Sequence, residues 1–254
     1  MAQQNKWYSF FPNLLTTFNL LSGVTGIYFA LNGNIKTAVI LMFAGAFFDF
    51  FDGFAARWLN AYSATGEQLD SLADLLSFGM APAVIVYALI EQSGIIINLP
   101  AYALSPVWIV VLLPLFAALR LARFNTDPEQ KEGFKGVPVP ATALFFAGLA
   151  ISAAHTITYP ETTSFIGRLA FNGWFMAAMV VFFAAFMVMP VKMFSLKMKS
   201  LNWKGNEIQY SFIIFSALLV VLFQLGALPV IIMGYVIMGL LMNIFGKKSS
   251  LENE

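Results

Sequence analysis

The run D-F-F-D-G-F-A-A-R-W-L-N-A-Y-S-A-T-G-E-Q-L-D-S-L-A-D occupies residues 49–74 and holds four of the five aspartates of this 254-residue chain. It joins segments that otherwise have the apolar character of membrane spans. A carboxylate in the hydrocarbon of a bilayer costs roughly 2.5–3.5 kcal/mol on insertion scales. Four clustered carboxylates also repel one another, so cations, water or both must compensate them. What compensates this cluster is the first question about function.

The composition around this run is that of a membrane protein. The chain is 59% hydrophobic and 11% charged, with a mean hydropathy of +0.78, whereas a soluble domain has about 25% charged residues. We therefore predict an all-α integral membrane protein with one polytopic domain over residues 1–254. The net charge of +1 gives no reason to expect nucleic acid as a partner.

The residue types restrict the chemistry of any metal site. The chain has no cysteine and a single histidine, His155, so it offers neither thiolates nor a histidine-rich site. Carboxylate oxygens remain as ligands, and these favour Mg²⁺, Mn²⁺ or Ca²⁺ over zinc.

Apolar windows long enough to span a bilayer recur along the chain. We predict about eight transmembrane helices, with residues 1–12 as a short interfacial segment anchored by Lys6, Trp7 and Tyr8. Residues 13–189 would form a six-helix catalytic core, and residues 190–254 two additional helices and a tail. The predicted spans are 13–32, 36–57, 67–91, 106–123, 139–156, 169–189, 210–226 and 229–246.

The basic residues predict an orientation. With both termini in the cytoplasm, this topology places twelve of the 14 lysines and arginines on the cytoplasmic side and leaves only Lys36 and Arg168 opposite. The positive-inside rule selects that orientation. The aspartate run would then open to the cytoplasm.

The spacing of the aspartates predicts two facing pairs. Asp49 and Asp52 are three residues apart on one helix, and Asp70 and Asp74 are four apart on the next, so each pair shares a helix face. The short connection makes the two helices antiparallel neighbours. Such a cluster suits hard divalent cations and phosphoryl chemistry.

The residues between the pairs favour a phosphate-bearing ligand. Gly53 and Gly66 allow close approach to the backbone, Ala56 keeps the same face open, and Arg57 can bind a phosphate with a bidentate fork. The complete pattern is D-x2-D-G-x2-A-R-x8-G-x3-D-x3-D, and it resembles the motif of the CDP-alcohol phosphotransferases. These are integral membrane enzymes of phospholipid synthesis.

This resemblance implies roles for the matching residues. Asp49, Asp52, Asp70 and Asp74 would bind a divalent metal, Mg²⁺ or Mn²⁺, as two ions, and Asp74 would also be the catalytic base. Gly53, Ala56, Arg57 and Gly66 would contact the CDP part of the donor. The first span resembles that of the family, in which polar residues face the nucleotide; the candidates are Asn13 and Thr16, then Thr17 and Asn19. Interhelical hydrogen bonding is the alternative for these four.

Residues 10–150 resemble most closely the CDP-diacylglycerol–serine O-phosphatidyltransferases. The likeness lies in T-T-F-N-L-L-S-G at 16–23, D-S-L-A-D-L-L-S-F-G-M-A-P-A at 70–83, R-L-A-R-F-N at 120–125 and G-F-K-G-V-P-V-P-A at 133–141. It implies CDP-diacylglycerol and L-serine as substrates, membrane lipids as surroundings, a homodimer, and a prokaryotic-type cytoplasmic (inner) membrane. The candidate acceptor-binding residues are Arg120, Arg123, Asn125, Lys135 and Ser77.

Several alternatives remain open from the sequence. The three basic acceptor candidates could instead anchor the chain to anionic headgroups, and Ser77 could be a small residue at a helix contact. The acceptor could be glycerol 3-phosphate or inositol phosphate. Intramembrane carboxylates are also typical of cation or proton transporters, and a metal-stabilised scaffold would need no turnover.

Overall fold

The structure is a computed structural model. It describes residues 10–61, 63–92, 106–126, 135–162, 164–191, 193, 203 and 206–251. Within these ranges the secondary structure is helical, with no extended strand. Most of the predicted interfacial segment, including Lys6, Trp7 and Tyr8, lies outside the described residues. The prediction of an all-α chain is confirmed.

Eight principal helices follow one another along the described chain. They are α1 (Phe10–Leu31), α2 (Ile35–Trp58), α3 (Ala64–Gln92), α4 (Leu112–Thr126), α5 (Val139–Thr158), α6 (Gly173–Val188), α7 (Glu207–Phe223) and α8 (Leu228–Leu251). Short helices at Pro106–Val110 and Phe165–Ala170 precede α4 and α6.

Six helical runs in the described chain are long and apolar enough to cross a membrane. Five correspond to α1, α2, α3, α5 and the stretch Trp108–Thr126, and the sixth runs from Glu207 to Ile244. Helix α6 is apolar but has only 16 residues, which is about 24 Å of helix. The chain is therefore an integral membrane protein, while eight crossings and cytoplasmic termini stay predictions.

The run from Glu207 to Ile244 is a helical hairpin. Gln224 has a positive φ of 52° and interrupts the helix before a short 3₁₀ turn over Gln224–Ala227. The rings of Phe212 and Tyr235 lie 6.3 Å apart, although 23 residues of straight helix would separate them by about 35 Å. Helices α7 and α8 therefore run antiparallel, in agreement with two predicted segments joined by a tight turn.

Two predicted spans differ from the observed helices. The predicted span at 106–123 is interrupted at Val111, because Pro114 has no N–H to donate to the carbonyl of Val110. The predicted span at 169–189 divides into a short helix and α6. Asn172 separates them by accepting a hydrogen bond from Phe175 N at 3.0 Å, which makes it the N-cap of α6.

Helices α1, α2 and α3 position the aspartates. Gly33, with φ of +76°, forms the turn between α1 and α2, and Ser63 caps α3 by accepting from Gly66 N at 3.0 Å. Helices α1 and α3 approach so closely that a Cβ on Gly23 would overlap Ser77, lying 2.8 Å from its Cα. This approach fixes the position of α1 beside the aspartate-bearing part of α3.

Helix α5 forms the centre of the core. Its side chains Phe145, Phe146 and Leu149 are almost completely buried. The last helix packs against it, since a Cβ on Gly148 would overlap Pro229 and lie 2.8 Å from the Cβ of Leu228. The C-terminal hairpin is thus part of the same packed body as the helices that carry the aspartates.

Candidate active site

Three of the four predicted metal ligands converge. Ligand oxygens of Asp49 on α2 and of Asp70 and Asp74 on α3 all lie within 4.8 Å of one another. Asp52 lies one turn beyond Asp49, is buried with 5% exposure, and its Oδ2 accepts a hydrogen bond from Thr16 Oγ1 at 2.7 Å. The two facing pairs predicted from the spacing are therefore brought together, although Asp52 stands apart from the tight trio.

The trio has the chemistry of a divalent-cation site. Its carboxylates would repel one another at this separation, and Asp70 Oδ1 is buried without a hydrogen-bond partner among the described residues. Burying a charged oxygen without compensation costs several kcal/mol, because water no longer solvates it. A hard cation with oxygen ligands would satisfy this atom and offset the repulsion. The residues present fit a divalent metal.

A cavity of about 690 Å³ lies beside the aspartates, between the start of α1, the end of α2 and the start of α3. Asp52 and Asp70 form part of its wall. All six residues predicted to contact the CDP part of the donor line it; they are Asn13, Thr16, Gly53, Ala56, Arg57 and Gly66. Ser63, Glu67 and Phe124 also line the cavity and were not predicted from the sequence.

The two motif glycines face different surroundings. A Cβ on Gly66 would lie 2.9 Å from both Asn13 Oδ1 and Ser63 Oγ, which is too close. A Cβ on Gly53 would meet only the guanidinium of Arg57, at 3.4 Å, an ordinary van der Waals distance. The packing of the protein itself therefore explains Gly66, whereas Gly53 leaves open space toward the cavity.

A second, smaller cavity of about 180 Å³ gathers basic residues. Arg120 and Arg123 of α4 line it together with Lys135, and its opposite wall is the chain at the end of α6, from Met187 to Pro190. Arg123 Nη1 donates to the carbonyl of Val188 at 3.2 Å. Three of the five predicted acceptor-binding residues therefore share one cavity.

The geometry of this cavity depends on a glycine turn. Gly136 has φ of +75°, and a Cβ there would lie 2.5 Å from the carbonyl oxygen of Met187 and 2.8 Å from that of Phe186. Gly136 N donates to Val191 O at 2.8 Å, and Val137 N donates to Phe186 O at 3.1 Å. These bonds hold the segment after Lys135 against the end of α6.

The other two predicted acceptor residues lie elsewhere. Asn125 Nδ2 donates to Ser71 Oγ on α3 at 2.8 Å, so it links α4 to the aspartate helix. Ser77 is completely buried and donates to the carbonyl of Asn19 at 2.9 Å. Neither lines the two described cavities. The position of Ser77 favours the alternative of a helix contact, and an acceptor contact for it stays a prediction.

The polar residues of α1 divide into two groups. Asn13 and Thr16 reach the larger cavity. Thr17 is exposed, and its hydroxyl donates to its own helix at Asn13 O, at 2.8 Å. Asn19 is completely buried and lies one turn deeper, where its Nδ2 donates to Asp74 Oδ1 at 3.4 Å. Asn19 therefore faces the aspartate trio rather than the larger cavity.

The C-terminal hairpin lies near one residue of the basic cavity, Arg120. Arg120 has 6% exposure, and its Nε has no hydrogen-bond partner in the described part of the chain. Its guanidinium lies near the side chains of Tyr235 of α8 and of Asp74. An arginine within an apolar helix indicates a functional position from the sequence alone. No pattern in the sequence predicts that Tyr235 lies beside it.

Comparisons with known proteins agree with this site. A family model described as CDP-alcohol phosphatidyltransferase matches residues 9–185. CDP-diacylglycerol–serine O-phosphatidyltransferases from Mycobacterium leprae and Bacillus subtilis are 42% and 37% identical over 147 and 145 residues. Archaetidylserine synthase from Methanothermobacter thermautotrophicus is 30% identical over 147 residues.

The matches cover only part of each protein. They include 54%, 56% and 57% of this chain and, in the same order, 45%, 73% and 59% of the relatives. The chain thus spans about half the length of the mycobacterial and archaeal relatives and about three quarters of that of the Bacillus one. The family model, in contrast, covers well over half of this chain and includes the aspartate trio and all the residues lining the larger cavity. The chain belongs to the CDP-alcohol phosphatidyltransferase family.

Proposed function

We propose that this protein transfers the phosphatidyl group of CDP-diacylglycerol to L-serine, giving phosphatidylserine and CMP. The observation that carries the proposal is the aspartate trio beside a cavity of about 690 Å³ lined by a guanidinium, two glycines and polar residues of α1. The relatives whose names specify serine as acceptor support the choice of alcohol.

The larger cavity would bind the CDP part of the donor, whose acyl chains would lie in the bilayer. Arg57 is exposed at its wall and can donate two parallel hydrogen bonds to the pyrophosphate. Asn13 and Thr16 offer polar groups from α1. Gly53 would let a phosphate or sugar approach the backbone of α2 where a side chain would obstruct it.

The aspartates would hold the divalent ions of the reaction. Asp49, Asp70 and Asp74, with Asp52 beside them, would bind Mg²⁺ or Mn²⁺, and we propose two ions. When bound, these ions would neutralise the charge that develops on the pyrophosphate and on the departing CMP.

Asp74 would act as the general base. Its carboxylate would accept the proton of the serine hydroxyl as that oxygen forms its bond to the phosphorus adjoining diacylglycerol. The bond from this phosphorus to the bridging oxygen breaks, and CMP leaves with the electron pair. A single displacement of this kind needs no covalent intermediate on the chain.

The smaller cavity would bind the serine. Arg120, Arg123 and Lys135 supply positive charge there, and a guanidinium can bind the serine carboxylate through a bidentate pair. Asn125 lies outside this cavity and donates to Ser71, so it would contact the serine ammonium through its free side-chain carbonyl only if the serine extends toward α3. The proximity of Arg120 to Asp74 supports a connection between this cavity and the aspartates.

The charge distribution supports a proposal about the cellular setting. We propose a prokaryotic-type cytoplasmic (inner) membrane, with the active site facing the cytoplasm, where serine and CMP are soluble. Under the predicted topology, twelve of the 14 lysines and arginines lie on the cytoplasmic side, which supports this orientation. We also propose a homodimer, as the family resemblance implies.

An acceptor panel tests the proposal. Purified wild-type protein in detergent receives CDP-diacylglycerol, Mn²⁺ or Mg²⁺, and labelled serine, glycerol 3-phosphate or inositol phosphate in separate reactions. We expect CMP release and a labelled lipid with serine alone. Labelled lipid formed with another acceptor would show that the acceptor is not serine, while the class of reaction would stay the same. Absence of CMP release in every reaction would favour a transporter or a scaffold.

A further inference from the structure

Asn19 combines complete burial with an unusual set of partners. It has no exposed surface, and its Nδ2 donates to Asp74 Oδ1 at 3.4 Å, between residues 55 positions apart in the chain. Its side-chain oxygen has no partner among the described residues. The amide is therefore directed at one carboxylate and leaves its acceptor unsatisfied.

The surrounding helices hold Asn19 in this place. Ser77 Oγ donates to the backbone carbonyl of Asn19 at 2.9 Å, which ties α1 to α3 one turn from Asp74. Gly23 leaves the room for Ser77, and Gly45 of α2 leaves the room for the amide, since a Cβ on Gly45 would lie 3.0 Å from Asn19 Oδ1. Residues on three helices thus fix the amide beside the carboxylate.

Packing alone does not account for this choice of residue. A buried polar atom without a partner is costly, and an apolar side chain at position 19 would remove that cost. The side-chain amide of Asn19 instead makes its single hydrogen bond to Asp74, the residue proposed as the base. An amide donor can orient a carboxylate without competing for the substrate proton, because it does not accept one at neutral pH.

We infer that Asn19 is a positioning residue, which orients the Asp74 carboxylate for proton transfer and is itself held by Ser77 and by the space at Gly45. The inference rests on the proposed function, in which Asp74 takes the proton of the acceptor hydroxyl. It gives Asn19 a role different from the contact with the nucleotide that the family resemblance implies. It also gives Ser77 an indirect part in the same site.

The test compares three variants of the full-length protein in detergent. Asn19→Ala removes the donor to Asp74. Gly45→Ala keeps the amide but displaces it, because the added methyl lies 3.0 Å from its oxygen. Ser22→Ala is the matched control: Ser22 is also a buried polar residue of α1, but it donates only to its own helix, at Phe18 O and 2.7 Å.

The readouts separate positioning from packing. For each variant we measure kcat, the KM for CDP-diacylglycerol, Mn²⁺ binding by electron paramagnetic resonance, and the thermal unfolding midpoint. We expect Asn19→Ala to lower kcat about 10- to 100-fold, as for a lost hydrogen bond to a charged group, with KM for the donor within about two-fold. Gly45→Ala should also lower kcat, whereas Ser22→Ala should keep wild-type kinetics.

Provided that the wild-type protein transfers the phosphatidyl group, either of two results would overturn the inference. One is a kcat of Asn19→Ala within two-fold of wild type. The other is a loss of kcat accompanied by equal losses of donor binding, Mn²⁺ binding and unfolding temperature, which a structural role would produce. If Asn19→Ala does not fold, Gly45→Ala decides by the same criteria. Absence of transfer in the wild type would remove the proposed function and the inference together.

Discussion

Gly53→Ala should make the protein more stable and less active. Gly53 lies in the interior of α2, where glycine is destabilising by roughly 0.5–1 kcal/mol relative to alanine. The added methyl would meet only Arg57 Nη1, at 3.4 Å, so the fold does not oppose it. We therefore expect the free energy of unfolding to rise by up to about 1 kcal/mol.

The same methyl would extend toward the larger cavity, which Gly53 lines. Forcing one methyl group into a well-fitted contact costs typically about 1–3 kcal/mol. If the CDP part of the donor occupies this space, its affinity should fall about 5- to 140-fold, since 1.4 kcal/mol is a factor of ten. The opposite signs of the two effects distinguish a ligand contact from a packing role.

Gly66→Ala is the matched comparison within the same motif. Its methyl would lie 2.9 Å from Asn13 Oδ1 and from Ser63 Oγ, the N-cap of α3. We expect stability and donor binding to fall together, by about 0.5–2 kcal/mol for a disturbed cap. The assays are thermal unfolding in detergent and binding of a labelled CDP-lipid. A Gly53→Ala variant with unchanged donor affinity would refute the placement of the donor against α2.

Three further predictions concern the metal site, the base and the C-terminal hairpin. Chelation of divalent ions should abolish transfer, and re-addition of Mn²⁺ or Mg²⁺ should restore it in the same sample; transfer that persists in a chelator would exclude the aspartates as essential metal ligands. Asp74→Asn should abolish turnover while sparing binding of a labelled CDP-lipid more than Asp49→Asn does, and a fully active Asp74→Asn would remove its role as base. Gly148→Ala should lower the free energy of unfolding by about 1–3 kcal/mol, because its methyl would overlap Pro229; an unchanged unfolding midpoint would mean that α8 does not pack on α5 in this way.

The sequence predicts the helical membrane fold and the pairing of the aspartates because both depend on hydropathy and short-range spacing, whereas the family resemblance places Asn13 and Thr16 at the larger cavity. Asp49 and Asp52, or Asp70 and Asp74, share a face by helix periodicity alone. Helix α2 ends at Trp58 and α3 begins at Ala64, so the short connection keeps the two pairs adjacent. Gly53, Arg57 and Gly66 meet the start of α1 around one cavity. The roles of these residues stay predictions until the donor is bound.

The sequence is less informative where long-range packing decides. Asn19 could face a nucleotide or another helix, and only the approach of α1 to α3 at Gly23 directs it toward Asp74. The proximity of Tyr235 to Arg120 depends on the fold of the C-terminal hairpin over α5. Asn172 stands inside an apolar run, so hydropathy alone does not indicate a helix start there, although an asparagine at such a position is a typical N-cap.

The central claim is phosphatidyl transfer to serine, and the stoichiometry of its products tests it most directly. Purified wild-type protein is incubated with CDP-diacylglycerol, Mn²⁺ and isotopically labelled serine, and CMP and labelled phosphatidylserine are quantified by mass spectrometry. The account predicts one labelled phosphatidylserine for each CMP released. CMP released without labelled lipid, or no product of either kind, would contradict it.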